Sequence, residues 1–340
     1  MILAGDLGGT KTLLALCQAP GPGAAGAPSQ IQIEHEATFA SAEHASLDEI
    51  VERFLRGLPA DARQPAAACF GVAGPVQGDT AHITNLSWTL DAASLSRTLG
   101  GAPVVLLNDL QAAALGMLTL PPAGFVTLQP PGEAAPRHGG TIAVVAPGTG
   151  LGQSLLVSLG GEVHALPMEA GHVDFAATTD EEYQLVRFLR QRHGHHISNE
   201  RVLCGDGLAD LYAFVRASSG EPEPAWLTAE LASPQRNAAV STAALQGRDA
   251  CCVRALEMFV EILGSEAGNA ALRGLARGGV ILGGGIPPKI LRALQDPRFL
   301  TRFRDKGRFA AWMESLEVRV ALEPRAGLFG AAHRAAVAAR

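Results

Sequence analysis

Lysine is scarce in this chain of 340 residues, and positive charge as a whole is outnumbered. Only three of the 27 basic side chains are lysines, namely Lys11, Lys289 and Lys306. Against 33 acidic side chains they leave a formal charge of −6 at pH 7. A protein that holds nucleic acid by bulk electrostatics needs a basic surface. The composition therefore argues against that class of function, and we expect no nucleic-acid partner.

Cysteine and long hydrophobic runs are also in short supply. The five cysteines are odd in number, include no C-x-x-C pair and lack zinc-ligand spacing, which favours a reducing compartment. No apolar run reaches the roughly 20 residues that span a bilayer. Asp6 interrupts the N-terminal apolar segment, and the basic region typical of a signal peptide is missing. We therefore expect a cytoplasmic protein with no membrane partner.

Glycine, in contrast, is abundant, with 39 residues. The length fits two domains of about 150 residues each. Apolar runs and helical spacings predict the element order βββαβαβα up to about residue 118, with Asp91 capping one of the helices. A second set begins with strands at 141–146, 153–159 and 162–167 and continues with helices at 180–191, 208–217 and 249–269, a helix starting near Pro287-Pro288, and a last helix at 326–338. The sequence thus predicts an α/β protein whose two halves begin alike.

Three predicted strands end in Gly-rich turns, at residues 6–11, 148–152 and 283–286. Glycine lets a backbone approach a ligand closely, and turns that expose several N–H groups bind anions without a formal charge. Each turn alone could equally be a simple hairpin, but three in one chain favour a nucleotide site. The P-loop string is absent, and the spacing of these glycines does not fit the dinucleotide fingerprint.

The same segments resemble the motifs of the actin–hexokinase ATPase superfamily. Residues 6–11 (DLGGTK) are similar to its first phosphate motif, residues 148–152 (GTGLG) to its second, and residues 279–286 to its adenosine motif. More narrowly, the chain resembles the bacterial glucokinases outside the ROK family. The segments that carry this resemblance also include 84–88 (TNLSW), 108–109 (ND), 169–175 (EAGHVDF), 200–205 (ERVLCG) and 305–309 (DKGRF).

The resemblance implies a two-domain actin/hexokinase-like fold, also called ribonuclease H-like. Each domain is then a mixed β-sheet with flanking helices, and the active site is expected in the interdomain cleft. The implied boundaries give a small α/β domain of residues 1–119 plus 322–340 and a large α/β domain of residues 120–321. A homodimer is implied as well, although the apolar positions of the helix at 249–269 could equally be buried in a core.

A candidate base follows the predicted strand that ends at residue 107. Asp109 is a good helix cap by residue type, and that role stays open from the sequence alone. The resemblance instead implies that Asp109 is the catalytic base, which accepts the proton of a sugar hydroxyl as the phosphoryl group arrives. It also implies that Asn108, Asp109, Glu169, His172 and Glu200 bind the sugar.

Each of these other residues also has a purely structural explanation. Glu169 could be a solvated loop charge, His172 a satisfied core histidine, and Glu200 an acid in the first turn of a helix. Carboxylates and imidazoles are nevertheless what sugar recognition needs, because every hydroxyl both donates and accepts. Ala170 departs from the family, which often has glycine there, and its small methyl group is expected to have little effect.

The resemblance implies that ATP and Mg²⁺ are the cofactors. Asp6 would orient Mg²⁺, through water, which suits the reluctance of this ion to lose its hydration shell. The hydroxyls of Thr10 and Thr149 can donate to phosphate oxygens, and Lys11 either adds a charge or lies on the surface. The nucleotide-binding residues are expected to be Asp6, Gly8, Gly9, Thr10, Lys11, Gly148, Thr149, Gly150, Gly283, Gly284 and Gly285.

Three histidines close together, His193, His195 and His196, suggest a metal site at first sight. No cysteine or carboxylate completes a tetrahedral set at recognisable spacing, so a polar loop is favoured. ROK sugar kinases carry a Cys-rich zinc motif after their sugar-binding Glu-x-x-His, whereas residues 173–183 here contain no cysteine. This difference separates the chain from the ROK branch and argues against structural zinc.

The leading hypothesis is therefore ATP-dependent phosphorylation of D-glucose at the 6-hydroxyl, a glycolytic reaction in which closure of the two halves expels water. A kinase for mannose, an N-acetylhexosamine or a polyphosphate donor remains open. A sugar-sensing transcription regulator is a further alternative, but it needs a helix-turn-helix before the first phosphate strand. Here that strand starts at Ile2, and the net charge is unfavourable for DNA.

Overall fold

The computed structural model describes residues 1–18, 31–83, 86–132, 140–194, 196–233 and 236–340, without the side chain of Asn237. The Gly/Pro-rich residues 19–28, Thr84 and Asn85 of the family motif, and His195 lie outside these residues. The chain forms two compact units. The first comprises Met1–Phe125, Leu159–Pro167 and Glu323–Arg340, and the second Val126–Ser158 and Met168–Leu322.

The first stretch of chain contains a five-stranded sheet and three helices. Its order is β3-β2-β1-β4-β8, with β1, β2 and β3 antiparallel to one another and β4 and β8 parallel to β1. A small three-stranded sheet, β5-β6-β7, is separate. The elements are β1 (Ile2–Leu7), β2 (Lys11–Gln18), β3 (Gln32–Ala40), α1 (Leu47–Arg56), β4 (Ala68–Val72), β5 (Val76–Gln77), β6 (Thr80–His82), β7 (Thr89–Asp91), α2 (Ala92–Thr98), β8 (Val104–Asn108) and α3 (Asp109–Met117).

The remaining chain contains a six-stranded sheet of order β12-β11-β10-β13-β14-β9 and ten helices among the described residues. The elements are β9 (Phe125–Gln129), β10 (Ile142–Pro147), β11 (Leu151–Leu159), β12 (Glu162–Met168), α4 (Asp180–His193), α5 (Asn199–Val202), α6 (Gly205–Ser219), α7 (Ala225–Leu231), α8 (Arg236–Leu245), α9 (Ala250–Gly274), β13 (Val280–Leu282), α10 (Leu291–Leu294), α11 (Pro297–Arg304), α12 (Ala310–Ser315), β14 (Val318–Ala321) and α13 (Ala326–Ala338).

The two sheets repeat one topology. In each, three consecutive strands stand side by side, and two later strands join the first of them, as β4 and β8 follow β1 and as β13 and β14 follow β10. β10 is antiparallel to β11 and parallel to β13, just as β1 is antiparallel to β2 and parallel to β4. The predicted similarity of the two halves and the predicted α/β class are both confirmed.

Strand β1, at the centre of the sheet of the first unit, is buried on both faces, and its alternate residues point to opposite sides. Leu3 and Leu7 of β1 belong to one core cluster together with residues of α1 and α2. Ile2 and Ala4 belong to another, which contains Leu328 and several alanines of α13. In the second unit one large cluster joins β10 and β13 to helices α4, α6, α8, α9 and α11.

Most long predicted elements are present, and several short ones were missed. Asp91 caps α2 as predicted, since its side chain accepts from the backbone N–H of Ser94. The expected helix start near Pro287-Pro288 is wrong: those residues form a turn in which Lys289 N–H donates to Ile286 O, and α10 begins at Leu291. The sequence analysis also missed β5, β6, β7, β9, α7, α8, α11 and α12, whereas Glu200 lies in the first turn of α5, as its structural explanation predicted. No helix within the described residues has both the length and the hydropathy to cross a membrane.

Candidate functional site

The first Gly-rich turn lies between β1 and β2 and is hydrogen-bonded to a buried serine, Ser41. The N–H of Gly8 donates to the carbonyl of Lys11 at 2.9 Å, which closes the turn. The Ser41 hydroxyl donates to Gly8 O at 2.9 Å and lies 3.0 Å from the Thr12 hydroxyl, while Ser41 N–H donates to Thr10 O. Because Ser41 is fully buried, the loop conformation is fixed by the protein before any ligand arrives.

Asp6 lies near the end of β1, just before this turn, in a largely buried position. The methylene of Gly327, in the first turn of α13, is so near that a Cβ there would lie 3.2 Å from the Asp6 carboxylate. Burial and the neighbouring Asp109 carboxylate raise the pKa of Asp6, and Lys11 partly offsets them. A largely buried carboxylate beside a second, exposed one is an environment that a cation would stabilise.

Asn108, and not Asp109, caps helix α3. Its side-chain oxygen accepts from Leu110 N–H at 3.0 Å, and Gln111 reaches back to Asn108 N–H, which completes a capping box. Its amide nitrogen also donates to Gly74 O at 3.2 Å. The structural alternative for Asp109, that it is the helix cap, is therefore wrong. Asp109 is the first residue of the helix, its side chain is exposed, and one of its oxygens accepts from Leu110 N–H.

Helix α3 is fixed in place by unusually close contact with α13. A Cβ on Gly116 of α3 would lie 1.8 Å from Ala326 O, and one on Gly330 of α13 would lie 1.7 Å from Ala112 O. The two backbones can therefore touch only because both positions are glycine. As α3 begins with Asp109 and α13 begins beside Asp6, this contact sets the relation between the two carboxylates.

The second unit brings together the three residues predicted to bind a sugar. His172 lies between two carboxylates: its Nε2 is 3.9 Å from Glu169 Oε2 and its Nδ1 is 3.8 Å from Glu200 Oε1. The side chains of Glu169 and His172 are 82% and 61% exposed, so they can reach a ligand. Glu200 is less exposed, because its Oε2 accepts from Leu151 N–H at 2.9 Å.

Backbone contacts explain this convergence of residues distant in sequence. Residues 173–175 run beside residues 197–199, with Asn199 N–H donating to Val173 O and Phe175 N–H donating to Ile197 O, at 2.9 and 2.8 Å. A Cβ on Gly171 would lie 2.1 Å from Leu151 O, so the turn that carries His172 approaches β11 as only glycine allows. Ala170, where the family often has glycine, is buried.

The other two Gly-rich turns are neighbours in the same unit. Gly283 N–H donates to Val145 O, and Ile286 N–H donates to Pro147 O. Gly284 has φ +79°, and a Cβ on it would lie 2.5 Å from Pro147 O. A Cβ on Gly148 would lie 3.8 Å from Gly285 N, which puts the turns at 148–150 and 283–285 side by side. Thr149 is exposed at the tip of the first of them.

The remaining candidates separate from these groups. Lys11 is exposed at the start of β2. His193 bonds to Asp210, whereas His196 Nε2 lies 3.2 Å from Asp174 Oδ1, so the two described histidines face different carboxylates. The sequence analysis missed Ser41, Gln111, Gly171 and Gly327, which shape the site without bearing its chemistry. Only Gln111 had a readable signal, because Gln three residues after an N-cap is typical of a capping box.

Comparisons with known proteins show which family the chain belongs to. The family model for glucokinase matches residues 3–338. The chain is 37% identical over 345 residues to a glucokinase of Nostoc punctiforme, with 98% of both chains covered. This chain belongs to the glucokinase family. The predicted resemblance is thereby confirmed.

Solved structures agree in the fold of this family member. The structure of a glucokinase from an Antarctic psychrotroph matches with a TM-score of 0.83 at 31% identity, covering 98% of each chain. That of a glucokinase from Balamuthia mandrillaris in complex with glucose matches with a TM-score of 0.73 at 21% identity, covering 98% of this chain and 93% of the other. The predicted two-domain actin/hexokinase-like fold class is confirmed.

Proposed function

We propose that this member of the glucokinase family transfers the γ-phosphoryl group of ATP to the 6-hydroxyl of D-glucose and releases glucose 6-phosphate and ADP. The observation that carries the proposal is the convergence of Glu169, His172 and Glu200, which come from two separate segments of the chain. Together with family membership, it supports a sugar as the acceptor rather than another hydroxyl compound.

The sugar is recognised by side chains whose hydrogen-bonding directions are already set. One oxygen of Glu200 accepts a hydrogen bond from Leu151 N–H, and the other lies near His172. Since a carboxylate only accepts and an imidazole donates and accepts, the group can match hydroxyls of one configuration and leave partners unpaired with another. Such a site can reject an analogue lacking a hydroxyl by up to about 10⁴-fold. Asn108 supplies a further amide to the sugar.

Asp109 acts as the general base of the reaction. Its exposed carboxylate accepts the proton of the 6-hydroxyl as that oxygen forms its bond to phosphorus and the bond to ADP breaks. The cap position, which would have occupied this carboxylate, belongs to Asn108. One Asp109 oxygen accepts from Leu110 N–H, and that contact orients the carboxylate without requiring a proton on it.

ATP is held by backbone more than by side-chain charge. The turn at residues 8–11 and the paired turns at 148–150 and 283–285 bind the phosphates and the adenosine, with Thr10, Thr149 and Lys11 contributing side chains. Mg²⁺ prefers oxygen ligands and usually keeps several waters, so one carboxylate such as Asp6 fits it. When bound, the ion neutralises charge on the transferring phosphoryl group. We also propose a cytoplasmic location, and a homodimer, which the family resemblance implies.

A coupled assay of ADP release, run over a panel of sugars and donors, tests this function. We expect turnover with ATP and glucose, with kcat/KM at least tenfold higher than for mannose or N-acetylglucosamine, and little with polyphosphate. Glucose binding without ADP release would support a sugar sensor instead. ADP release that favours another hexose would replace glucose as the substrate.

A further inference from the structure

The side chain of Gln111 makes two hydrogen bonds in different directions. Its Oε1 accepts from the N–H of Asn108 at 3.2 Å, and its Nε2 donates to the carbonyl of Ala165 in β12 at 2.8 Å. Both partners are backbone groups with a single role, since an N–H only donates and a carbonyl only accepts. The orientation of the amide is therefore fixed by its partners.

The first of these bonds is local and ordinary. A Gln or Glu at the third position of a helix commonly reaches back to the N-cap, and either residue satisfies the same backbone N–H. The second bond spans 54 residues and has no local explanation. Only an uncharged amide can make both, because a glutamate has no proton to donate to Ala165 O and would face that oxygen with negative charge.

The two bonds join two elements of one compact unit. One end of the amide holds the turn from which Asp109 begins α3. The other end holds Ala165 of β12, in the stretch Leu159–Pro167 of the same unit. Gln111 is partly buried, so the bonds are shielded from competing water.

We propose that Gln111 is the residue that positions the Asp109 carboxylate for proton transfer, by tying the start of α3 to β12. The inference rests on the proposed function, in which Asp109 is the base. It assigns Gln111 no contact with the sugar or the nucleotide. Loss of the tie lets the first turn of α3 shift, and a misplacement of about 1 Å can cost up to about 10²-fold in rate.

Two substitutions distinguish the hydrogen bond to Ala165 O from the hydrogen bond to Asn108 N–H. Gln111→Glu retains a side chain that can reach Asn108 N–H and removes the donor to Ala165, whereas Gln111→Met keeps the length and removes both bonds. We expect either variant to lower kcat about tenfold with KM for ATP within twofold of the wild type. Gln18→Met serves as the matched control, because the Gln18 amide bonds to exposed Glu34, and its kcat should be unchanged.

A double-mutant cycle with Asp109→Asn tests whether Gln111 acts through Asp109. In the Asp109→Asn background, Gln111→Met should change the residual turnover by less than twofold. A full additional tenfold loss there would indicate a general structural defect and overturn the inference, as would wild-type kcat in Gln111→Glu. If Asp109→Asn itself retains turnover, the proposed base is wrong. If Asp109→Asn is inactive and the Gln111 variants are not, only the positioning role fails.

Discussion

Replacing Gly171 with alanine probes a tightly constrained point of the site. The added Cβ would lie 2.1 Å from Leu151 O, whereas real Cβ atoms essentially never come closer than 3.0 Å to such an atom. The contact is with backbone, so no side chain can rotate away, and the turn or the strand must move by about 1 Å. His172 would then separate from Glu200, whose other oxygen stays bonded to Leu151 N–H.

The size of the effect follows from that displacement. We expect Gly171→Ala to raise KM for glucose between about 10- and 100-fold and to destabilise the protein by about 1–3 kcal/mol, as overpacking does. KM for ATP should rise less than KM for glucose, because the displacement begins at the turn that carries His172 and reaches the turn at 148–150 only through Leu151. Steady-state kinetics with each substrate varied, together with urea unfolding, measure both effects.

Gly57→Ala is the matched control for this substitution. Gly57 follows α1 with φ −73°, and a Cβ there would meet its nearest neighbour at 3.3 Å, so the change needs little movement. Its kinetics should match those of the wild type. If a folded Gly171→Ala protein binds glucose as the wild type does, the turn is not fixed by contact with β11 and our explanation of how His172 is placed is wrong.

Two further substitutions test the charged groups, and one tests helix packing. Burial and Asp109 raise the pKa of Asp6, so the folded protein favours the protonated carboxyl. The contribution of this proton to the stability of the fold is complete below the ordinary pKa of 3.8 and is lost as pH rises through the raised pKa. Ligand-free Asp6→Asn should therefore melt higher than the wild type at pH 7–8, and thermal melts of the two should converge at acidic pH. Arg302→Ala removes the positive charge 2.7 Å from the buried Glu182 carboxylate, which keeps its hydrogen bonds from Thr178. The substitution should cost about 3–5 kcal/mol in urea unfolding, part of which Glu182→Gln restores in the double variant. In the same assay, Gly330→Ala should lower the free energy of unfolding by about 1–3 kcal/mol or more, because its Cβ would collide with Ala112 O.

The sequence was most informative where local signals were long or chemically distinct. Strands β1 and β2 and helices α9 and α13 have runs of apolar residues long enough for their periodicity to be recognised. Strands β5, β6 and β7 have only two or three residues, too few to show alternation. Helix α8 is rich in alanine and so offers little contrast between a buried and an exposed face.

Within the site, residue types were predictable and spatial relations were not. Asp109, Glu169 and Glu200 could be named from family motifs, but the bond of Glu200 to Leu151 N–H joins residues 49 apart. The need for glycine at position 171 likewise arises from a tertiary contact with the Leu151 carbonyl. Such contacts depend on how separate segments pack, which no local pattern encodes.

The choice of cap for α3 shows the same limit. Asn108 and Asp109 are both favoured N-cap residues, and their sequence alone does not decide between them. The backbone decides, since Asn108 has extended dihedral angles and Asp109 is already helical. That one-residue difference leaves the Asp109 carboxylate exposed at the helix start.

Asp109→Asn is the most direct test of the proposed reaction. Asparagine keeps the size of the side chain and an oxygen for Leu110 N–H, but it cannot accept the proton of the 6-hydroxyl. Turnover with ATP and glucose should be measured alongside glucose binding by calorimetry. We expect kcat to fall by about 10²–10⁴ while glucose affinity is largely kept. A folded variant that binds glucose and turns over at close to the wild-type rate would contradict the assignment of Asp109 as the base.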